Sequence, residues 1–231
     1  MHRNLPSGTA VSDEFLHALA AELAGLGTLA IVLVGSVADG DPTPYSDIDL
    51  AHIVTVPHAG PELRYYYRYR DGRLVGVATR QLGWYQEVLT RPERTLFDLA
   101  SMRIARILID SDGIFRAFQR EVQQFSTASL QTAADRYAST LLMQLTEAVH
   151  KILSAMFREN RFALFEAASS LVFGLTQAVA VQRGMLVTGS SRYLQQVQEV
   201  VGLDSDWARY HRLAIDADES DIPLAHATTI K

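Results

Sequence analysis

Apolar and polar positions change rhythm near Phe125. Before it, short apolar runs of strand length alternate with Gly-, Pro- and Asp-rich segments; after it, apolar residues recur every three or four positions and strand signals nearly vanish. In the first part, Ser12 followed by Asp13-Glu14 and by Phe15, Leu16, Leu19, Ala20 and Leu23 predicts a capped amphipathic helix, stopped by Gly25 and Gly27. Residues 28–34 form one predicted strand, and a second opens at Ser46 and continues through 50–56 to Pro57. Residues 64–70 are built only of Arg and Tyr, and Asp71-Gly72 is a hairpin turn into 73–79, an antiparallel pair beside the second strand. Helices are predicted over 81–89 and 93–101, with Pro92 at a helix start, then a strand over 103–110, a turn at 110–113 and a helix over 114–122.

The second part reads as helices over 130–158, 162–181, 192–201 and 206–215. The first carries a stripe of Tyr137, Leu141, Leu142, Leu145, Ala148, Val149, Ile152, Leu153 and Met156, expected to face inward, with Arg136, Thr140, Glu147, Lys151 and Arg158 on the other face. The second is nearly all apolar and is expected at the centre of a bundle. The expected class is α+β: a small mixed-sheet domain over 1–125, a helical bundle over 126–215, and an acidic, irregular tail over 216–231.

Composition narrows the chemistry. The 231 residues contain no cysteine, which excludes disulfides and thiolate metal sites. A net charge of −5 does not favour a nucleic-acid partner. With no basic-then-apolar leader and no uninterrupted apolar run of membrane-span length, a cytoplasmic protein without a membrane partner is expected. Of 21 basic residues 19 are arginine, so Lys151 stands out as a compact point charge in a chain that otherwise uses the planar fork.

The candidate chemistry sits between the first two strands, in Ile31 to His52. Along a strand side chains alternate, so Asp47 and Asp49 share one face while Ile48 and Leu50 enter the core. Two carboxylates on one face repel each other unless a cation stands between them, and Mg²⁺ with oxygen ligands is the expected solution. Gly35 permits close approach of backbone to a ligand, and Ser36 offers a hydroxyl and an N–H as a seat for phosphate oxygens.

A strand ending in Gly-Ser, followed after a short gap by Asp-x-Asp on the next strand, resembles the nucleotidyltransferase superfamily. The resemblance implies a nucleoside triphosphate, ATP first, as co-substrate, Mg²⁺ at Asp47 and Asp49, and phosphate contacts at Gly35 and Ser36. Two departures accompany it. The strand after the hairpin should bring a third carboxylate, yet it reads Arg73-Leu74-Val75-Gly76-Val77-Ala78-Thr79, so either two aspartates suffice, or Asp71 or Glu62 reaches in, or catalytic power is reduced. Relatives also carry a basic residue soon after Gly-Ser, whereas this chain has Asp39 there; Arg64, Arg68, Arg70 and Arg73 are the candidates to compensate.

A sheet domain followed by helices resembles, more narrowly, the kanamycin-type aminoglycoside nucleotidyltransferases. The matching landmarks are Pro44-Tyr45-Ser46-Asp47-Ile48, the turn from Ile109 to Gly113, Glu147-x-x-x-Lys151, and the run from Arg183 through Ser191. The resemblance implies Glu147 as the general base for an acceptor hydroxyl, Lys151 as a phosphate contact, a small hydroxylated acceptor, and a homodimer. Glu-to-Lys four apart is also a common helix-stabilising surface pair. The rival function is a nucleotidyltransferase fold without turnover, serving as a nucleotide-binding or antitoxin-like partner module.

Overall fold

The computed structural model describes residues 11–55, 65–189 and 192–215. The chain forms two compact units: one contains the described residues through Leu130 together with Leu186–Gly189, the other Gln131–Met185 and the described residues after Ser190.

The first unit is a five-stranded mixed sheet of order β3-β4-β2-β1-β5, comprising β1 (Thr28–Val34), β2 (Ile48–Val54), β3 (Tyr65–Arg70), β4 (Arg73–Gln81) and β5 (Arg106–Asp110). β1 pairs antiparallel with β2 and β5, β3 antiparallel with β4, and β2 parallel with β4. Both faces are covered, which is why the central strands are nearly continuous apolar runs. On one face α1 (Asp13–Leu23), capped by the Ser12 hydroxyl accepting from the Phe15 N–H at 3.2 Å, places Leu16 and Leu19 against Leu33, Ile48, Leu50, Val75 and Val77. On the other face α4 (Pro92–Ile104) and α5 (Ile114–Gln124) contribute Leu99, Met102, Phe115 and Phe118 over Val32, Ala51 and Ile53. The Asp110 carboxylate accepts from the N–H groups of Phe115 and Arg116 at 3.2 and 2.9 Å, so the Asp-Ser-Asp-Gly turn caps a helix.

Two boundaries differ from expectation. The helix predicted over 81–89 is α3 (Leu82–Gln86) continued by a 3₁₀ turn at Glu87–Leu89. The predicted strand 103–110 loses its start to α4, because Arg103 donates from its guanidinium to the carbonyls of Val122 and Phe125, which holds the last helical turn in place.

The second unit is built on a helical hairpin, α6 (Gln131–Phe157) and α7 (Arg161–Gln182), followed by α8 (Tyr193–Val201) and α9 (Asp206–Ala214). Asn160 caps α7 by accepting from the Ala163 N–H at 3.1 Å. The inward face of α6 is narrower and smaller than the predicted stripe: Ala134, Ala138, Leu145, Ala148 and Ala155 are buried, whereas Leu142, Val149, Leu153 and Met156 are exposed. Small residues win the contact because they let two helix backbones approach closely. Leu145 lies against Gly174, where a Cβ would stand 2.5 Å from its Cδ2. α7 is likewise only partly enclosed, and it is long and apolar enough, by length and composition alone, to cross a membrane. Its Thr176 joins a buried network instead: the hydroxyl lies 2.9 Å from His211 Nε2, and Gln198 Nε2 donates to His211 Nδ1 at 2.8 Å. Burial lowers the His211 pKa, in keeping with a neutral ring satisfied on both nitrogens.

Candidate active site

The site forms at one end of the sheet, where β1 hands over to the one-turn helix α2 (Gly35–Asp39) and β2 begins. A tight turn delivers the second strand: the Ser46 N–H donates to the Thr43 carbonyl at 3.1 Å and the Thr43 N–H donates to the Ser46 hydroxyl at 2.9 Å, with Pro44 in the position that pre-sets the turn. Asp47 and Asp49 then leave the strand on the face opposite Ile48 and Leu50.

Asp49 sits in the middle of a cradle. Across the sheet it pairs with Val34 on one side and Gly76 on the other. Gly35, at φ 73°, brings backbone so close that a Cβ there would stand 2.6 Å from Asp49 Oδ2. A Cβ at Gly76 would stand 3.1 Å from Asp49 Oδ1. Burial, and secondarily the charge of Asp47, push the Asp49 carboxyl up to about 6. Such a carboxyl is held in a field that favours neutralisation, and a divalent cation shared with Asp47 would supply it. The donor set fits one oxygen-coordinated cation completed by water or phosphate oxygens. Among the described residues no group of three or more His, Asp or Glu side chains could hold a metal.

Asp71 does not complete the set. Gly76 lies beside Asp49, and Arg73 is three residues further along β4, about 10 Å at strand spacing. Asp71 lies in the turn beyond it, 3.8 Å from Arg70. Glu62 falls outside the described residues, as does Arg64.

The arginines expected to compensate for Asp39 face the wrong way. Arg68 and Arg70 reach Glu22 of α1 at 3.2 and 2.9 Å, on the face opposite Asp49, because alternation along β3 separates them from Tyr65, Tyr67 and Tyr69. Arg73 has the parity of Val75 and Val77 and belongs to the same α1 face. Asp39 itself is exposed.

The tyrosines are the residues that sequence reasoning missed. The Tyr67 ring lies over Gly76, with Cε1 3.0 Å from where a Cβ would be, and the Tyr65 hydroxyl donates to the Tyr67 hydroxyl at 2.6 Å. Burial, the Tyr67 contact and the charges of Asp49 and Asp47 all raise the Tyr65 pKa. The signal was present in the sequence: a two-residue turn at Asp71-Gly72 pairs Arg70 with Arg73, and counting back pairs Tyr67 with Gly76.

In the second unit, Glu147 and Lys151 form an ion pair at 3.1 Å on α6, with both side chains well exposed. They line a groove of about 530 Å³ between α6 and α7, together with Ser154, Arg158, Glu166 and Ser170. Gly35, Asp47 and Asp49 are thus brought together in one unit, with Ser36 next to Gly35 in the adjoining helix, and Glu147 and Lys151 are brought together in the other.

Comparison with known proteins places a label on the first unit. Residues 15–98 match the family model described as the nucleotidyltransferase domain, a span that includes Gly35, Ser36, Asp47 and Asp49. The match supports the superfamily and nucleotidyl transfer as the class of activity of this region. No curated protein matches the chain. Among solved structures, a nucleotidyltransferase-like protein from Exiguobacterium sibiricum 255-15 aligns at 12% identity with a TM-score of 0.46, over 89% of this chain and 72% of its own.

Proposed function

We propose that the chain is a Mg²⁺-dependent nucleotidyltransferase that moves a nucleoside monophosphate from a nucleoside triphosphate, ATP first, to a hydroxyl of a small acceptor. The observation that carries this reading is the Asp49 carboxylate held against the Gly35 backbone, with Asp47 on the same face, inside the matched domain. Asp47 and Asp49 would hold the metal, which when bound neutralises charge on the triphosphate. Gly35 and Ser36 bind phosphate oxygens through backbone and hydroxyl. Glu147 accepts the acceptor's proton, its hydroxyl oxygen attacks the α-phosphorus, and pyrophosphate leaves; Lys151 binds phosphate oxygens. A positioned base contributes on the order of a hundred- to ten-thousand-fold.

An aminoglycoside acceptor rests on the kanamycin-type resemblance alone. A polycation calls for an acidic site, and the second-unit groove carries two cations, Lys151 and Arg158, beside Glu147 and Glu166. The homodimer has separate support in the exposed apolar side chains of α6 and α7: Phe157 is 89% exposed, Phe162 91% and Phe165 75%.

One observation favours the rival, a nucleotide-binding module without turnover: Gly76 stands where a third carboxylate would be, under the Tyr67 ring. Calorimetric titration of ATP and a non-hydrolysable analogue, with and without Mg²⁺, tests the shared premise. Metal-dependent binding lost in the Asp47→Asn/Asp49→Asn double variant is expected, and transfer to an acceptor panel then separates enzyme from module. Triphosphate binding unchanged by the double substitution would sink both.

A further inference from the structure

The place beside Asp49 on the neighbouring strand is one from which a further ligand could reach the same cation. Strand pairing puts Gly76 directly beside Asp49, and the 3.1 Å from a Gly76 Cβ to Asp49 Oδ1 means that a side chain there would share the carboxylate's space. The place is not open. The Tyr67 ring covers it, with Cε1 3.0 Å and Cδ1 3.4 Å from the same Cβ position; its hydroxyl accepts from the Tyr65 hydroxyl at 2.6 Å, and the two rings meet edge to face with centroids 5.1 Å apart. A neutral phenol therefore occupies the volume into which a carboxylate from β4 would project. Asp71 is directed away at the hairpin tip, and no third acid joins Asp47 and Asp49 among the described residues.

We propose that Tyr67, locked by Tyr65 over Gly76, closes the third ligand position, so that Asp47 and Asp49 hold one divalent cation per chain rather than two. Two carboxylates suffice for one Mg²⁺ whose remaining positions are filled by water and phosphate oxygens. A pair of cations a few ångströms apart would need bridging and flanking anions that this strand does not provide. Among the described residues, the strands beside Asp49 then supply no further carboxylate to take the acceptor's proton, and the base comes from elsewhere in the chain. This inference rests on the metal-and-nucleotide reading above, and Tyr67 is a positioning residue in it, acting by occupying space.

The test counts ions, not turnover. Mn²⁺ is titrated into the full-length chain and followed by electron paramagnetic resonance, alone and with a non-hydrolysable ATP analogue. One bound Mn²⁺ per chain is expected for the wild type, and its loss in Asp49→Asn. The Gly76→Asp/Tyr67→Ala variant, which clears the ring and adds the carboxylate, is expected to take two in the presence of the analogue. Two ions on the wild type would overturn the inference while leaving nucleotidyl transfer standing; none under either condition would overturn the metal assignment as well. One ion on a folded Gly76→Asp/Tyr67→Ala chain would show that Tyr67 is not what sets the number. Glu62→Gln needs no rebuilt site: Mn²⁺ binding is expected to be unchanged, and a loss of tenfold or more would make Glu62 the third ligand and overturn the proposal.

Discussion

The two units bury different kinds of side chain. The largest fully enclosed residues, among them Phe115, Leu16, Ile31, Leu50 and Leu96, all belong to the sheet unit. The helical unit encloses mainly alanines, including Ala134, Ala138, Ala155, Ala167 and Ala178, and leaves Leu153, Met156, Phe157, Phe162, Phe165 and Phe173 exposed. A sheet with helices on both faces can enclose large apolar groups, and it holds Asp49 rigidly enough for burial to shift its proton affinity. A helical hairpin packed through small residues keeps its bulk outside, where a second surface can use it. The first unit therefore encloses its bulk around the site, and the second presents an apolar face, the observation behind the proposed homodimer.

Truncation tests that contrast most strongly. Phe115→Ala should cost about 3–5 kcal/mol of unfolding free energy, as expected for an enclosed aromatic in a packed core. At dilutions where the chain is a monomer, Phe162→Ala should change it by no more than about 0.5 kcal/mol, as for an exposed site. Denaturant melts of the two variants read both values. Light scattering of Phe162→Ala/Phe165→Ala at micromolar concentration should give the mass of one chain where the wild type gives two; a wild-type mass of one chain would remove the second copy as the partner.

Alternation and turn chemistry made most of the sheet unit readable from the sequence. The strand over 28–34, the Asp71-Gly72 hairpin and the Ser12 cap have local causes and stand where expected, and the strand expected from Ser46 to residue 56 is present over Ile48–Val54. Asp47 and Asp49 were placed by the period of two alone, and Gly35 by its neighbour Ser36 and the apolar run before it. The inward face of α6 was misjudged, because hydrophobicity ranks Leu153 and Met156 above Ala138 and Ala155, whereas close helix contact ranks them the other way. Arg68 and Arg70 were assigned by proximity in sequence, and strand parity sends them to Glu22. The place of Tyr67 is not legible from local sequence, because it depends on the β3–β4 register that sets it against Gly76.

A smaller effect should separate the units by pH. The Asp49 carboxyl titrates near 6 in the folded metal-free chain, above its ordinary 3.8, because of burial first and Asp47 second. Between those values the folded state holds a proton that the unfolded state has released. The associated stability is full below about pH 4 and lost as pH rises through about 6. Asp49→Asn removes this dependence, so above pH 6 the metal-free variant should melt higher than wild type, by about a few degrees. Tyr65 and Asp47 face the same group, and Mg²⁺ should raise the wild-type melting temperature at pH 8 but not that of the variant. A wild-type melting curve insensitive to pH across this window would mean that Asp49 is not held as the structure describes.

The smallest expected change in stability decides the most about the helical unit. Glu147 and Lys151 are 74% and 63% exposed and sit one helical turn apart at 3.1 Å. As a surface pair they should couple by only about 0.3–0.5 kcal/mol in a double-mutant cycle of Glu147→Gln and Lys151→Met. So small a coupling leaves room for a chemical role of the pair beside the groove it lines with Arg158, Glu166 and the serines. If Glu147 is the base, Glu147→Gln should leave the melting curve and Mg²⁺-dependent ATP binding in place while transfer falls about a hundred-fold or more. That combination, unchanged folding and nucleotide binding with lost turnover, is one that a helix-stabilising ion pair does not produce. Equal transfer by wild type and Glu147→Gln would make the pair a surface ion pair and exclude Glu147 as the base.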